Sequence, residues 1–201
     1  MLFPCLAIFL VVAAFLTFRS RATTKKDAEK TESFWERENE ANSTPRQDIS
    51  NLDYIKIPEE LLPFCGLADD EILDQCEKSL EDLSDKKILN LTGKTNTDLK
   101  KEYGAPNLTI LMECDENFTL LIRTLNQLGH QLKELGFTEQ AQKTYAFAVS
   151  SGSDIADTYV QLALLYKKEG NLDKFHKLEM RASSLEGDAR KRILDKLNFI
   201  K

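Results

Sequence analysis

The sequence predicts an all-α chain: an N-terminal transmembrane helix, a polar linker, and a domain of helical hairpins with a C-terminal capping helix. Three observations predict it. Residues 1–18 carry no charged side chain. From Ile72 on, apolar residues recur at helical spacing rather than in alternation. From Ile122 on, the chain repeats its own pattern with a period of 34 residues.

The first segment, residues 2–18, is an uninterrupted apolar run. As a helix it spans roughly 26 Å at about 1.5 Å per residue, at the short end for a hydrocarbon core of roughly 30 Å. Arg19 and Arg21 can snorkel to lengthen it, and Pro4 sits in the first turn, where a missing N–H costs little. A cleaved signal peptide fits less well. It needs a positive charge before the apolar run and a small-x-small site after it, and Phe15–Arg21 offers none. Arg19, Arg21, Lys25, Lys26 and Lys30 all follow the run. The positive-inside rule then predicts a single-pass protein of the cell membrane, with its N-terminus outside and its domain in the cytoplasm. On that orientation the N-x-S/T triplets at Asn42, Asn90, Asn107 and Asn117 are incidental.

Residues 19–50 are polar and charge-rich and read as a semi-flexible tether. Thr31–Glu40 can form a short helix that carries Phe34 and Trp35, and Trp35 is expected to dock on the domain. Residues 51–117 form the helical N-terminal part of the domain. They open with an extended lead-in, because Pro58 disfavours helix at Ile57, followed by a helical turn at Glu59–Phe64. Asp69 or Asp70 then caps a helix with Ile72, Leu73, Cys76, Leu80 and Leu83 on one side. Gly93-Lys94-Thr95 invites a phosphate-loop reading. Ile88 stands where that loop needs its first glycine, so a turn is expected instead, with Asn96 or Thr97 capping a short helix that stops at Gly104. Leu108, Ile110, Leu111 and Met112 are expected to form a helix packed on the first hairpin.

The repeat occupies residues 118–186. Leu125, Leu128, Gly129, Leu132 and Gly136 recur 34 residues later as Tyr159, Leu162, Ala163, Tyr166 and Gly170. Small residues at Gly129 and Ala163 let two helices approach closely. Gly136 and Gly170 end the first helix of each pair in a left-handed cap. Thr138 and Asn171 are placed to cap the second helices, and Ser153 or Asp154 the first helix of the second unit. This set of residues resembles the tetratricopeptide signature, which implies two stacked helical hairpins. Phe175 and Glu179 depart from the family pattern, which expects a small residue and an aromatic, and so imply an altered second hairpin. Residues 187–201, with Ile193, Leu194, Leu197 and Ile200 on one stripe, cap the stack. Two hairpins bury too little surface alone, so the middle region must contribute to the fold.

Beyond the repeat, the whole chain resembles a set of membrane-anchored tetratricopeptide proteins of Firmicutes. Phe34-Trp-Glu-Arg-Glu-Asn-Glu-Ala-Asn42, Leu89-Asn-Leu-Thr-Gly, Thr95-Asn-Thr-Asp-Leu-Lys, Tyr103-Gly-Ala-Pro-Asn-Leu and Ser153-Asp-Ile carry that resemblance. It implies no activity.

Other constellations point away from catalysis. The formal net charge of -6 argues against general nucleic-acid binding. Cys65, Cys76 and Cys114 lack a CxxC pair and read as small buried hydrophobes, while Cys5 lies in the apolar run. His130 and His176 stand in no metal-binding pattern. The carboxylates of Asp69-Asp70-Glu71, Glu77, Glu81 and Asp82 suit a solvated helix face. No catalytic, metal or cofactor residue is expected, and the chain is not read as an enzyme.

Tetratricopeptide grooves meet their ligands on the first helix of each hairpin, and the resemblance implies a groove of Arg123, Asn126, His130, Lys133, Val160, Leu164 and Lys167. Some family members clamp a carboxylate with Lys, Asn and Arg. Here Val160 and Leu164 occupy two such places, so an apolar peptide or helix is the expected ligand, in competition with a neighbouring segment of the same chain. The function expected is a membrane-anchored protein-interaction scaffold with an unknown protein or peptide partner. Self-association into a structural homo-oligomer is the alternative, and an enzyme with an unrecognised site the remoter one.

Overall fold

A computed structural model describes residues 30–58 and 68–200, which are helical or irregular with no strand among them. The expected transmembrane helix at residues 1–18, Cys5, Cys65 and the turn expected at Glu59–Phe64 lie outside the described residues. Among those described, no helix is long and apolar enough to cross a membrane. The chain divides into two units.

In the first unit, helix α1 (residues 30–43) and the irregular tail to residue 48 go with residues 95–108. Thr95 starts a short helix, Asn96–Tyr103, with a reciprocal cap. Its hydroxyl accepts from the Asp98 N–H, and the Asp98 carboxylate accepts from the Thr95 N–H. The cap is therefore Thr95, not Asn96 or Thr97, because only Thr95 has an acidic residue three positions on. Glu38 pairs with Lys100 and accepts from the Thr97 hydroxyl, Glu40 pairs with Lys101, and Arg37 pairs with Asp98. Gly104, at φ 89°, is needed where the chain passes the backbone of Pro45–Arg46, since a Cβ there would lie 2.8 Å from the Arg46 Cα. Asn107 is fully buried. Its amide donates to the carbonyls of Gln47 (2.8 Å) and Tyr103 (2.7 Å), and its oxygen accepts from Arg46 Nε (3.0 Å). Residues 30–48, within the stretch expected as a tether, are thus fastened at several points. Trp35 does not dock. It is 57% exposed and meets the Phe34 ring edge-on, because α1 turns Glu38 and Ala41 inward instead.

The second unit, residues 49–94 and 109–201, starts with the extended lead-in, where the Ile55 N–H bonds the Ile88 carbonyl at 2.9 Å. Helix α2 (Glu71–Ser84) is capped by Asp70, whose carboxylate accepts from the N–H groups of Ile72 and Leu73. Leu73, Cys76, Leu80 and Leu83 are buried as expected, whereas Ile72 is exposed at the edge of the stripe. Glu77 is buried rather than solvated. It lies four residues after Leu73 and three before Leu80, so helical geometry puts it on the inner face. Residues 88–91 then run along the next long helix, with the Leu89 N–H bonded to the Cys114 carbonyl and the Leu91 N–H to the Asp115 carboxylate.

After α3 (Asn96–Tyr103) and a 3-10 turn (Ala105–Asn107), α4 (Leu108–Glu134) is one helix of 27 residues. The separate helix expected at Leu108–Met112 is its first turn. Nothing between Leu108 and Glu134 breaks the helix, since Pro106 precedes it and Gly129 is buried against a neighbour. Helices α5 (Thr138–Ser150), α6 (Ala156–Lys168), α7 (Leu172–Ser183) and α8 (Gly187–Asn198) follow. Helix α5 packs on α6, α6 on α7, and α8 on both α6 and α7.

The 34-residue period is visible in the backbone. The Phe137 N–H bonds the Leu132 carbonyl and the Gly136 N–H that of Lys133. Thirty-four residues on, the Asn171 N–H bonds Tyr166 and the Gly170 N–H bonds Lys167. Both glycines have positive φ, 87° and 68°. Leu125, Leu128, Tyr159 and Leu162 are buried with Gly129 and Ala163. Asn171 caps α7 as expected. Thr138 caps nothing, being already the first residue of α5 behind Phe137. Nor do Ser153 or Asp154 cap α6. Ile155 holds that place, and the buried Ser153 hydroxyl turns back to its N–H. Ile193 and Leu197 bury one side of α8, with Leu194 and Ile200 packed beside them.

Candidate functional site

The side chains expected to line a groove stand on α4 and α6. On α4, Asn126, His130 and Lys133 are spaced by four and three residues and share one stripe. Facing them on α6 are Asp157, Thr158 and Gln161. The Thr158 hydroxyl donates to Asn126 Oδ1 at 2.8 Å, His130 Nε2 pairs with an Asp157 carboxylate oxygen, and Lys133 Nζ donates to Gln161 Oε1 at 2.6 Å. The Gln161 amide also donates to Asp157 at 3.2 Å. Farther along α6, Lys167 donates to the Ile200 carbonyl. The chain thus engages four of the seven expected groove residues. Arg123 and Leu164 stay exposed, and Val160 is half-buried.

The electrostatics of this seam are those of a joint. Burial works against the Asp157 charge, but the hydrogen bonds from His130 and Gln161 and the neighbouring imidazole outweigh it and hold its carboxyl below the usual value. The His130 ring meets the Tyr145 ring edge-on at 6.0 Å. Burial, and then the charges of Asp157 and Glu134, push the Tyr145 phenol well above its ordinary range, so it stays protonated. Among the described residues no Ser, Thr or Cys hydrogen-bonds the His130 ring. No group of three metal-ligating side chains is found among the described residues. Cys76 and Cys114 are buried free thiols; burial, then Asp70, raises Cys76 to about 11.

A second feature lies between α5, α6 and α7. A cavity of about 380 Å³ has a floor of Ala146, Val149, Leu162, Tyr166 and Leu178, and a rim of Lys174, Lys177 and Arg181. Compared with known proteins, the chain matches no family model, no curated protein and no solved structure.

The facing residues Asp157, Thr158 and Gln161, and the basic rim, were not singled out by the sequence. The rim did leave a trace, since positions 174, 177 and 181 form one helical stripe of positive charge. The α6 partners left none, because their role depends on which residues α4 brings opposite them.

Proposed function

We propose that this chain is a membrane-tethered interaction module, whose tetratricopeptide-like hairpins recruit a protein partner at the cytoplasmic face. The observation that carries this reading is the repeated hairpin closure, in which the same two backbone bonds recur 34 residues apart with a small buried residue at Gly129 and Ala163. Repeats of this kind present side chains on a regular framework, and their usual use is binding rather than chemistry. With Asn126, His130 and Lys133 engaged by α6, the part of that face open to a partner is Arg123, Val160 and Leu164. The tether rests on the apolar run of residues 2–18 and its positive flank.

The test is site-specific photo-crosslinking of the full chain in its host cells, with the crosslinker at Leu164 and, as control, at the exposed Lys191 on α8. A discrete protein adduct from Leu164, absent from Lys191 and lost in Val160→Asp, is expected. Adducts of equal pattern from both positions would count against the reading. Protease protection of sealed vesicles tests the orientation. One observation favours the self-associating alternative: Leu172 and Phe199 are 75% and 91% exposed. Sedimentation of wild type against Phe199→Ser separates the two readings, since only self-association predicts a concentration-dependent mass that the substitution removes.

A further inference from the structure

The cavity between α5, α6 and α7 combines an apolar floor with a purely cationic rim. Lys174, Lys177 and Arg181 stand on α7, and no carboxylate lines the cavity with them. That is unusual in a chain with 33 acidic residues against 27 basic ones. Two of the three cations are oriented by something other than an acid. The Lys174 ammonium lies 5.5 Å from the centre of the Tyr166 ring. The Arg181 guanidinium donates to the Ser150 carbonyl at 3.0 Å, at the C-terminal end of α5, where the helix dipole favours a positive charge. Among the described residues, no ion pair holds Lys177.

We propose that this cleft docks an acidic peptide segment of a partner protein, with one apolar side chain seated in the cavity and carboxylates on the rim. Charge complementarity chooses the occupant. A neutral apolar segment would leave three cations partly desolvated without counter-charge, which is costly. A basic one would be repelled. Spacing supports a helical ligand. Positions 177 and 181 are about 6 Å apart along α7 at 1.5 Å per residue, the same interval as carboxylates four residues apart on a docked helix. The apolar floor supplies the affinity of a buried anchor, and the rim supplies selectivity and encounter rate. This surface involves none of Arg123, Val160 and Leu164, so it stands or falls separately from the α4–α6 face.

The experiment is selection of a displayed random-peptide library on the full-length protein, repeated on Lys174→Glu/Lys177→Glu. Both lysines are exposed, and circular dichroism with a melting curve verifies that the double variant folds. Enriched peptides carrying two or more acidic residues around an apolar one are expected, with at least tenfold weaker binding to the double variant. Their Glu→Lys counterparts should bind the double variant better than the wild type. No enrichment, enrichment without acidic bias, or affinities unchanged in the double variant would overturn the proposal. So would lysine-dependent capture of phosphatidylserine vesicles with no peptide selected, which would make the cleft a lipid site.

Discussion

The ring of Tyr145 occupies the space that a side chain on Gly129 would need: a Cβ built there falls 2.5 Å from Tyr145 Cε1. The contact joins α4 to α5 at the point where the repeat demands a small residue. Alanine at position 129 gains about 1 kcal/mol of helix propensity, but it must push a fully buried ring, at a cost of about 1–3 kcal/mol. Gly129→Ala should therefore lower the unfolding midpoint in urea. Combining it with Tyr145→Leu should cost less than the sum of the two single changes, because they share one space.

Tyr145 and Tyr159 bury their hydroxyls without a hydrogen-bond partner among the described residues. Replacing either by phenylalanine removes an unsatisfied group and keeps the ring. Each change should leave stability unaltered or raise it by about 1 kcal/mol, read from the same denaturant curves. A loss greater than that would mean the hydroxyl has a partner in solution.

The Asp157 carboxyl is held below its usual value in the folded chain. Its contribution is thus fully present above the unfolded value of about 3.9, and it is lost as pH falls through the folded one. Urea midpoints of the wild type should fall over that acid range. Asp157→Asn should be less stable at neutral pH, and its acid slope should be shallower. Equal slopes would show that the joint between α4 and α6 does not depend on this charge.

Asn107 satisfies three backbone or side-chain partners from a fully buried position. Asn107→Ala removes both amide donations, leaving the Tyr103 carbonyl with only the Gln47 N–H, and should cost about 1–3 kcal/mol. Amide hydrogen exchange should speed up at Gln47 and Ala105, whose N–H groups bond Tyr103 and Thr44. The same burial means that a glycan on the Asn107 triplet is incompatible with this fold.

Cys76 offers a fifth check. With its thiol raised to about 11 and its side chain buried, only a very small fraction is thiolate at neutral pH. Peptide mapping after maleimide treatment should find Cys76 unlabelled in the native chain and labelled in urea.

The all-helical class was legible because helical periodicity and the 34-residue repeat are local or regularly spaced signals. Gly136 and Gly170 announced their turns, and Asp70 its cap. What stayed hidden depended on partners distant in sequence. Nothing near Glu77 announces its burial except its place between Leu73 and Leu80. The Thr95 cap was within reach, since Asp98 three residues later completes the box. Trp35 misled through its size, because a large apolar ring does not by itself find a surface to cover. On the α4–α6 face, Asn126, His130 and Lys133 were legible as one stripe, but not that Thr158, Asp157 and Gln161 would meet them.

Asp70 has a consequence for how the chain folds. One of its carboxylate oxygens holds the first turn of α2, and the other accepts from the Gln131 amide on α4, 61 residues later in sequence. Nucleating α2 and docking it on α4 therefore draw on the same side chain. The cap closes within three residues of chain, whereas the bond to Gln131 closes a loop of 61, so this one side chain ties a local nucleation step to a long-range docking step.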